Sequence, residues 1–238
     1  MWTERTQMLL GEDSIGRLAA SNVMVVGLGG VGGYACEMLA RAGVGHLTLI
    51  DCDTVGETNL NRQIIALHST LGLPKAEVLK ARLLDINPSL DIRIIEKYVH
   101  EDTLDEIFGE IGRSPDYVVD AIDTLSPKIA LIQYCLSHGL RLVSSIGSGA
   151  KLDAAAVRAD DISRTKMCPL AHMLRKRLHH LGIFEGFTAV YSIEAPRRSS
   201  VVLEESRNKK SQVGSITYLP AVFGCVCAQV VIRNITDI

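Results

Sequence analysis

Two patterns of hydrophobic residues alternate along the first two thirds of the chain. Short apolar runs predict buried strands, and longer stretches with apolar residues three and four positions apart predict helices. The predicted strands are 22–27, 46–51, 91–98, 117–120 and 141–145. The predicted helices between them are 34–42, 75–87, 103–108 and 127–138. This alternation predicts an α/β fold, a doubly wound Rossmann-like sheet with mostly parallel strands.

The alternation is expected to stop after Gly149. Residues 171–181 have the spacing of a basic helix. Residues 199–212 are rich in Ser, Glu, Arg, Asn and Lys, which predicts a mobile surface loop. An apolar helix at 219–232 is predicted to pack back on the sheet. We therefore divide the chain into a first region (residues 1–150) and a basic second region (residues 151–238) that form one continuous structural unit.

Composition adds a charge asymmetry to this picture. With 238 residues, 47% hydrophobic residues and a net charge of −2, the chain is globular, which excludes disordered and collagen-like classes. The first region has 12 basic and 19 acidic residues, a balance of −7, and the second has 13 and 8, a balance of +5. The split indicates a polyanionic partner for the second region, with ordinary solvated faces as the alternative.

The cysteines and the N-terminal residues predict a cytoplasmic protein without structural zinc. Six cysteines are scattered along the chain, and Met1–Leu10 lacks the pattern of a signal peptide. Cys225 and Cys227 are closer together than the usual zinc pair, and no second pair exists. The apolar stretch 218–232 is shorter than the roughly 20 residues needed to cross a bilayer, so we expect a buried helix and no membrane span.

A glycine-rich turn lies between the first predicted strand and its helix. Gly27 permits a sharp turn, while Gly29 and Gly30 let backbone N–H groups approach a phosphate. Gly32 lets the helix pack closely against the strand. Asp51, at the end of the second strand, is placed to accept hydrogen bonds from ribose hydroxyls. The pattern predicts an adenosine nucleotide, either NAD or ATP, with a turn that binds no ligand as the alternative.

A polar cluster eight residues after Asp51 favours a triphosphate. It contains two asparagines, an arginine and a glutamine: Asn59, Asn61, Arg62 and Gln63. Arg62 can bind phosphate oxygens bidentately, and the amides can orient a phosphate or ribose without adding charge. Lys75, at the start of the next predicted helix, supplies a mobile positive charge for the phosphates.

Asp120 and Asp123 follow the strand residues 117–119, at the edge of the sheet where α/β proteins bind ligands. A carboxylate beside phosphates can coordinate Mg²⁺, which prefers oxygen ligands. We predict that Asp123 is the metal ligand. Asp120 could share this role or could cap the following loop or helix.

These motifs resemble the adenylating domain of the ubiquitin-activating, ThiF and MoeB superfamily. The resemblance rests on the glycine turn, on Asp51 and Asp53, on the NxNRQ cluster, on Pro74-Lys75 and on the DAxD sequence that ends at Asp123. It implies that the chain binds ATP and Mg²⁺. It also implies a homodimer in which Arg5 reaches the phosphates of the partner subunit.

The second region resembles the tRNA threonylcarbamoyladenosine dehydratase branch of this superfamily, through the motifs KLD at 151, KMCPL at 166 and YSIEAP at 191. The resemblance implies ATP-dependent cyclisation of threonylcarbamoyladenosine in tRNA, through an adenylated carboxylate. The alternatives are adenylation of the C-terminus of a ubiquitin-like sulfur carrier, NAD-dependent oxidoreduction, and nucleotide binding without catalysis. A cysteine desulfurase or sulfur acceptor is a possible partner protein.

A basic segment in the second region supports an RNA substrate. Residues 162–180 contain five basic residues and no carboxylate: Arg164, Lys166, Arg175, Lys176 and Arg177. Neutralised phosphates supply most of the sequence-independent affinity for nucleic acids. Cys168 in this segment could be a nucleophile, but Pro169 after it favours a residue that starts a helix.

Overall fold

The computed structural model describes residues 2–203 and 211–238, and its centre is a seven-stranded sheet. The strands are β1 (Asn22–Val26), β2 (His46–Ile50), β3 (Asp91–Ile95), β4 (Tyr117–Asp120), β5 (Leu142–Ser145), β6 (Val157–Asp161) and β7 (Thr188–Ser192). Their order is β3-β2-β1-β4-β5-β7-β6, and β6 alone runs antiparallel, beside β7. The predicted mostly parallel sheet is confirmed.

Helices cover both faces of this sheet. They are α1 (Glu4–Leu10), α2 (Glu12–Ala20), α3 (Gly32–Ala42), α4 (Lys75–Ile86), α5 (Leu104–Glu110), α6 (Leu125–Ser137), α7 (Pro169–His180) and α8 (Tyr218–Thr236). One hydrophobic cluster joins the sheet to α3, α4 and α8, and a second joins it to α5, α6 and α7. Along β1, Val23 and Val25 belong to the first cluster and Met24 and Val26 to the second. Because both faces are covered, the central strands are continuously apolar.

The expectation that the alternation stops after Gly149 is wrong. β7 pairs with β5 in parallel and β6 closes the edge, so the second region adds two strands to the sheet. Two short strands, β8 (Val201–Leu203) and β9 (Ser211–Val213), pair with each other inside the segment predicted to be a loop. Residues 204–210 of that predicted loop lie outside the described residues.

The apolar helix predicted near the C-terminus is α8, which is longer than expected. It has 19 residues and lies mainly against α3. A Cβ on Gly224 would lie 2.4 Å from the carbonyl oxygen of Val31, so glycine permits this close helix contact. In the described part of the chain, α8 is the one helix long and apolar enough to span a membrane, but half of it is buried inside the fold. This burial is typical of a core helix.

A buried carboxylate fastens α3 to α4. Glu37 accepts hydrogen bonds from Arg41 on α3 and Arg82 on α4, at 2.6–3.0 Å. Burial acts to raise the pKa of Glu37, but the bonds from Arg82 and Arg41 outweigh it and hold the pKa below its ordinary value. The carboxylate therefore stabilises the fold above its ordinary pKa, and this contribution is lost as the pH falls through the lowered pKa.

We expect Glu37→Gln to lower the free energy of unfolding at pH 7 by about 2 kcal/mol, because charged hydrogen bonds are lost. It should also flatten the fall in stability between neutral and acid pH. Urea unfolding measured from pH 7 down to pH 3 tests both effects. The exposed Glu77 on α4 provides the matched control, since Glu77→Gln should change neither. Parallel acid profiles for Glu37→Gln and the unaltered chain would contradict the assignment.

Candidate active site

The glycine turn connects β1 to α3 at the carboxyl edge of the sheet. Gly27 has a left-handed backbone with φ of +88°, and a Cβ there would lie 2.8 Å from the carbonyl oxygen of Ala121. A Cβ on Gly32 would lie 1.7 Å from the carbonyl oxygen of Gly27. The first contact ties the turn to the segment after β4, and the second closes the turn on itself. Both need glycine for steric reasons.

Asp51 holds this turn from the end of β2. Its Oδ2 accepts a hydrogen bond from Leu28 N at 2.7 Å, and its Oδ1 accepts one from Asp53 N at 2.9 Å. Lys75, which is buried, forms a 2.8 Å ion pair with the exposed carboxylate of Asp53. The structure therefore brings Asp51, Asp53 and Lys75 together beside the turn.

The asparagines and the arginine of the polar cluster form hydrogen bonds within the loop that contains them and to a neighbouring loop. Asn59 accepts a bond from Gly56 N at 3.0 Å, and Asn61 donates to Ser215 O at 3.1 Å. Arg62 Nη1 donates to Thr58 O and to Asn61 Oδ1, both at 2.9 Å. These contacts hold one terminal nitrogen, Nη1, of the guanidinium.

Gln63 is the buried member of the cluster. Its side chain lies against the glycine turn, with Nε2 3.4 Å from the position of a Cβ on Gly29. Among the described residues, Oε1 of Gln63 has no hydrogen-bond partner. A buried acceptor left without a donor is costly, so this atom fits a ligand or water held at the turn. The turn and Gln63 together fit the phosphates and ribose of a nucleotide.

Asp120, the last residue of β4, and Asp123, three residues later, have different surroundings in the structure. Asp120 is fully buried: its Oδ2 accepts bonds from Lys128 Nζ and Ser144 Oγ, both at 2.6 Å, and its Oδ1 accepts one from Ile122 N at 3.0 Å. The bond to Ile122 is the loop cap considered as its alternative role. Asp123 is exposed at the same edge of the sheet. Of these two carboxylates, Asp120 is buried and Asp123 is the exposed one.

A single carboxylate suits Mg²⁺ held mainly by phosphates and water. In the part of the chain that the structure describes, no group of three His, Cys, Asp or Glu residues could hold a metal by itself. The carboxylate of Asp123 has the oxygen donors that Mg²⁺ prefers, and phosphates and water would supply the other ligands.

Sequence reasoning missed Lys128, whose side chain is 1% exposed. A signal was present: this lysine lies in a predicted helix, directly before the apolar run Ile129–Ile132. Lysine is almost never fully buried unless it is paired, so its position on an apolar helix pointed to a buried acid. The identity of that acid depended on the tertiary fold.

Arg5 lies on the exposed side of α1. Met8 and Leu9, three and four residues further along this helix, are 81% and 82% exposed. Residues at this spacing share a helix face, so the guanidinium lies beside an apolar surface. α1 packs mainly on α2.

The basic residues of the second region differ in their contacts. Lys166, Lys176 and Arg177 are exposed, and Arg164 forms a loose 3.6 Å ion pair with Asp160. Arg175 is half-buried and donates to the carbonyl and hydroxyl oxygens of Thr165. It therefore fastens α7 to the preceding turn, a contact that the sequence pattern did not reveal.

Cys168 is the residue before α7, and Pro169 is the first residue of that helix. The thiol is buried, with its Sγ 3.9 Å from Ile146 O. The interpretation of Cys168 as a helix-start residue is confirmed. The nearby Lys151 is also buried and donates to Gly147 O at 3.1 Å, which braces the turn after β5.

Known proteins resemble the chain over almost its whole length. The family model described as ThiF matches residues 3–238. The tRNA threonylcarbamoyladenosine dehydratase of Bacillus subtilis (strain 168) is 36% identical over 239 residues, which are 97% of this chain and 93% of that protein. The crystal structure of the E. coli tRNA N6-threonylcarbamoyladenosine dehydratase in complex with ATP has a TM-score of 0.88 and 35% identity, covering 98% of this chain and 93% of that one.

A relative outside the dehydratases matches less of the chain. The molybdopterin-synthase adenylyltransferase of Haemophilus influenzae is 39% identical over 128 residues, which are 54% of this chain and 51% of that protein. The dehydratases, in contrast, match both regions. The resemblance inferred from the motifs is confirmed, and the chain belongs to the ThiF family.

Proposed function

We propose that this protein uses ATP to dehydrate threonylcarbamoyladenosine in tRNA. The observation that carries the proposal is the similarity to the Bacillus subtilis dehydratase over 97% of the chain, the basic second region included. The glycine turn and the unpartnered Gln63 oxygen support the nucleotide part of the reaction. In this proposal the first region binds ATP and the second binds RNA.

A carboxylate must be activated before its carbon can be attacked, because oxide is a poor leaving group. The carboxylate oxygen of the threonylcarbamoyl group attacks the α-phosphorus of ATP, and pyrophosphate leaves. The carbamoyl group of the same modification then attacks the activated acyl carbon and gives up a proton to solvent, a ring closes, and AMP leaves with the former carboxylate oxygen. The substrate loses the elements of one water, and ATP becomes AMP and pyrophosphate. Because the second step is intramolecular, the protein needs chiefly to position groups and neutralise charge.

The residues of the turn and its neighbours would divide these tasks. Asp51 and Gln63 orient the ribose and phosphates, and Arg62 and Lys75 offset the charge that develops at the α-phosphate. Lys75 exchanges its partner Asp53 for a phosphate oxygen when ATP binds. Asp123 holds Mg²⁺, which supplies further positive charge to the phosphates when it is bound.

We infer that the active form is a homodimer and that the protein acts in the cytoplasm. The apolar Met8 and Leu9 beside Arg5 support the dimer, since exposed apolar patches mark interaction surfaces. Arg5 would reach the phosphates of the partner subunit. A cysteine desulfurase or sulfur acceptor that docks on the protein is retained as a possible partner.

Adenylation of a ubiquitin-like carrier protein is the alternative function. This alternative is disfavoured because the molybdopterin-synthase adenylyltransferase matches only about half of the chain. Mass spectrometry of nucleosides from tRNA incubated with the protein and ATP decides between them. We expect threonylcarbamoyladenosine to lose one water. Pyrophosphate release that depends on a carrier ending in Gly-Gly, and not on tRNA, would overturn the proposal.

A charge reversal at Lys176 tests whether α7 contacts RNA. We expect Lys176→Glu to weaken tRNA binding and to lower the slope of log affinity against log salt by about one. ATP binding should stay unchanged, because α7 lies outside the turn. Filter binding at several salt concentrations measures the slope. Lys80→Glu, on a helix of the acidic region, is the matched control. Equal losses for both variants would contradict a local RNA contact.

A further inference from the structure

Lys128 has one of the largest fully buried side chains in the described part of the molecule. Its ammonium makes three contacts: to Asp120 Oδ2 at 2.6 Å, to Ser145 O at 3.0 Å and to Ser144 Oγ at 3.2 Å. The three donors of a lysine are therefore matched by three acceptors. The contacts join α6 to the ends of two neighbouring strands, β4 and β5.

The same unit holds the loop that leads to Asp123. Asp120 Oδ1 accepts the N–H of Ile122, so the carboxylate fixes the first turn after β4. The N–H of Ala121, between them, donates to Val26 O at 2.8 Å, and the carbonyl of Ala121 lies against Gly27. The segment 120–122 is thus fixed on one side by Lys128 and on the other by the start of the glycine turn.

The position of the pair in the sheet indicates a role beyond packing. β4 lies beside β1, and the strand order reverses between these two strands, where open α/β sheets bind their ligands. A buried ion pair is seldom more stabilising than apolar residues of the same volume. The Lys128–Asp120 ion pair at this site therefore points to a requirement for a fixed geometry in the loop 120–123.

We propose that Lys128, Asp120 and Ser144 form a positioning unit that directs the carboxylate of Asp123 toward the metal of the bound nucleotide. The inference rests on the proposed function, since it requires ATP and a divalent metal at this edge. Lys128 and Asp120 touch neither the nucleotide nor the metal. They act through the backbone of residues 120–123, as groups behind a metal ligand commonly do.

The test replaces both charges together, because a single buried charge without its partner would destabilise the fold. The variant is Asp120→Asn with Lys128→Met, and the probes are AMP without metal and ATP with Mn²⁺. We expect AMP to bind as tightly as before. The Mn²⁺ affinity at saturating ATP, measured by electron paramagnetic resonance, should fall about tenfold, as it does for other residues behind a metal ligand.

The ion pair between the buried Glu37 and the partly exposed Arg82 supplies the control. Glu37→Gln with Arg82→Met removes charges between α3 and α4, so it should lower the unfolding temperature and leave Mn²⁺ affinity unchanged. If the first double variant does not fold, Ser144→Ala decides, with an expected loss of Mn²⁺ affinity of about threefold from one missing hydrogen bond. Ser137→Ala, at an exposed serine of α6, is its control.

The outcomes separate the two levels of the inference. Tighter Mn²⁺ binding by the unaltered chain than by the folded variants, with equal AMP binding, supports the positioning unit. Equal Mn²⁺ affinity in a folded variant overturns the unit and leaves the proposed function intact. Absence of ATP binding by the unaltered chain overturns the proposed function, and the positioning unit with it.

Discussion

Gly32→Ala is expected to abolish ATP binding and to lower the free energy of unfolding by about 3 kcal/mol or more, because an added Cβ overpacks a backbone contact. This Cβ would lie 1.7 Å from the carbonyl oxygen and 2.9 Å from the carbonyl carbon of Gly27. Backbone atoms cannot rotate away as a flexible side chain can. The turn between β1 and α3 must therefore open, and its N–H groups lose the arrangement that fits a phosphate.

Substitutions at two other glycines distinguish an effect on ATP binding from an effect on the free energy of unfolding. Gly45→Ala would place a Cβ 1.8 Å from Ala19 O, an equally severe collision outside the nucleotide turn. It should destabilise the chain, while the folded fraction still binds ATP. Gly16 lies exposed in α2 with no atom within 4 Å of an added Cβ, so Gly16→Ala should stabilise the chain by about 0.5–1 kcal/mol.

Urea unfolding and calorimetric titration with ATP measure these effects. The comparison of Gly32→Ala with Gly45→Ala is decisive, since both collide with backbone and only the first lies in the turn. A Gly32→Ala protein that binds ATP as tightly as the unaltered chain would show that the nucleotide does not use this turn.

The features that the sequence predicted well are those set by neighbouring residues. β1 and β2 are buried on both faces, so their apolar runs are continuous and easy to detect. The glycine turn was equally visible, because its spacing and its place between a strand and a helix are local properties. Asp51 lies beside the turn because the carboxyl ends of the parallel strands β1 and β2 meet at one edge of the sheet.

The features that were missed depend on how separate elements of the fold lie against each other. β6 has the sequence VRADD, and its residues are partly exposed at the edge of the sheet, so the apolar signal of a strand is weak. Lys128 pairs with an acid on β4, and Arg175 binds the backbone of Thr165 across a turn. These pairings become visible only when the tertiary fold brings the elements together.

Arg62→Ala is expected to slow pyrophosphate release by about 10²- to 10³-fold, the effect of removing one group that stabilises transition-state charge. Among the described residues, the hydrogen bonds of Arg62 use Nη1 alone, to Thr58 O and Asn61 Oδ1. A guanidinium has five N–H donors in a fixed fork, so the remaining donors can bind two phosphate oxygens together. Alanine removes this fork and leaves in place Asp51, the residue proposed to bind the ribose. AMP binding should therefore change little while the rate falls.

Exchange of labelled pyrophosphate into ATP, with tRNA carrying threonylcarbamoyladenosine, measures the adenylation step directly. Arg158→Ala is the matched control, because Arg158 also donates through Nη1 to backbone carbonyls, those of Ala155 and Val157, and lies on the edge strand β6. It should retain the exchange rate. An Arg62→Ala protein with full exchange would remove Arg62 from the phosphate site. A loss confined to Arg62→Ala would instead assign its guanidinium to the charge that develops as the carboxylate attacks ATP.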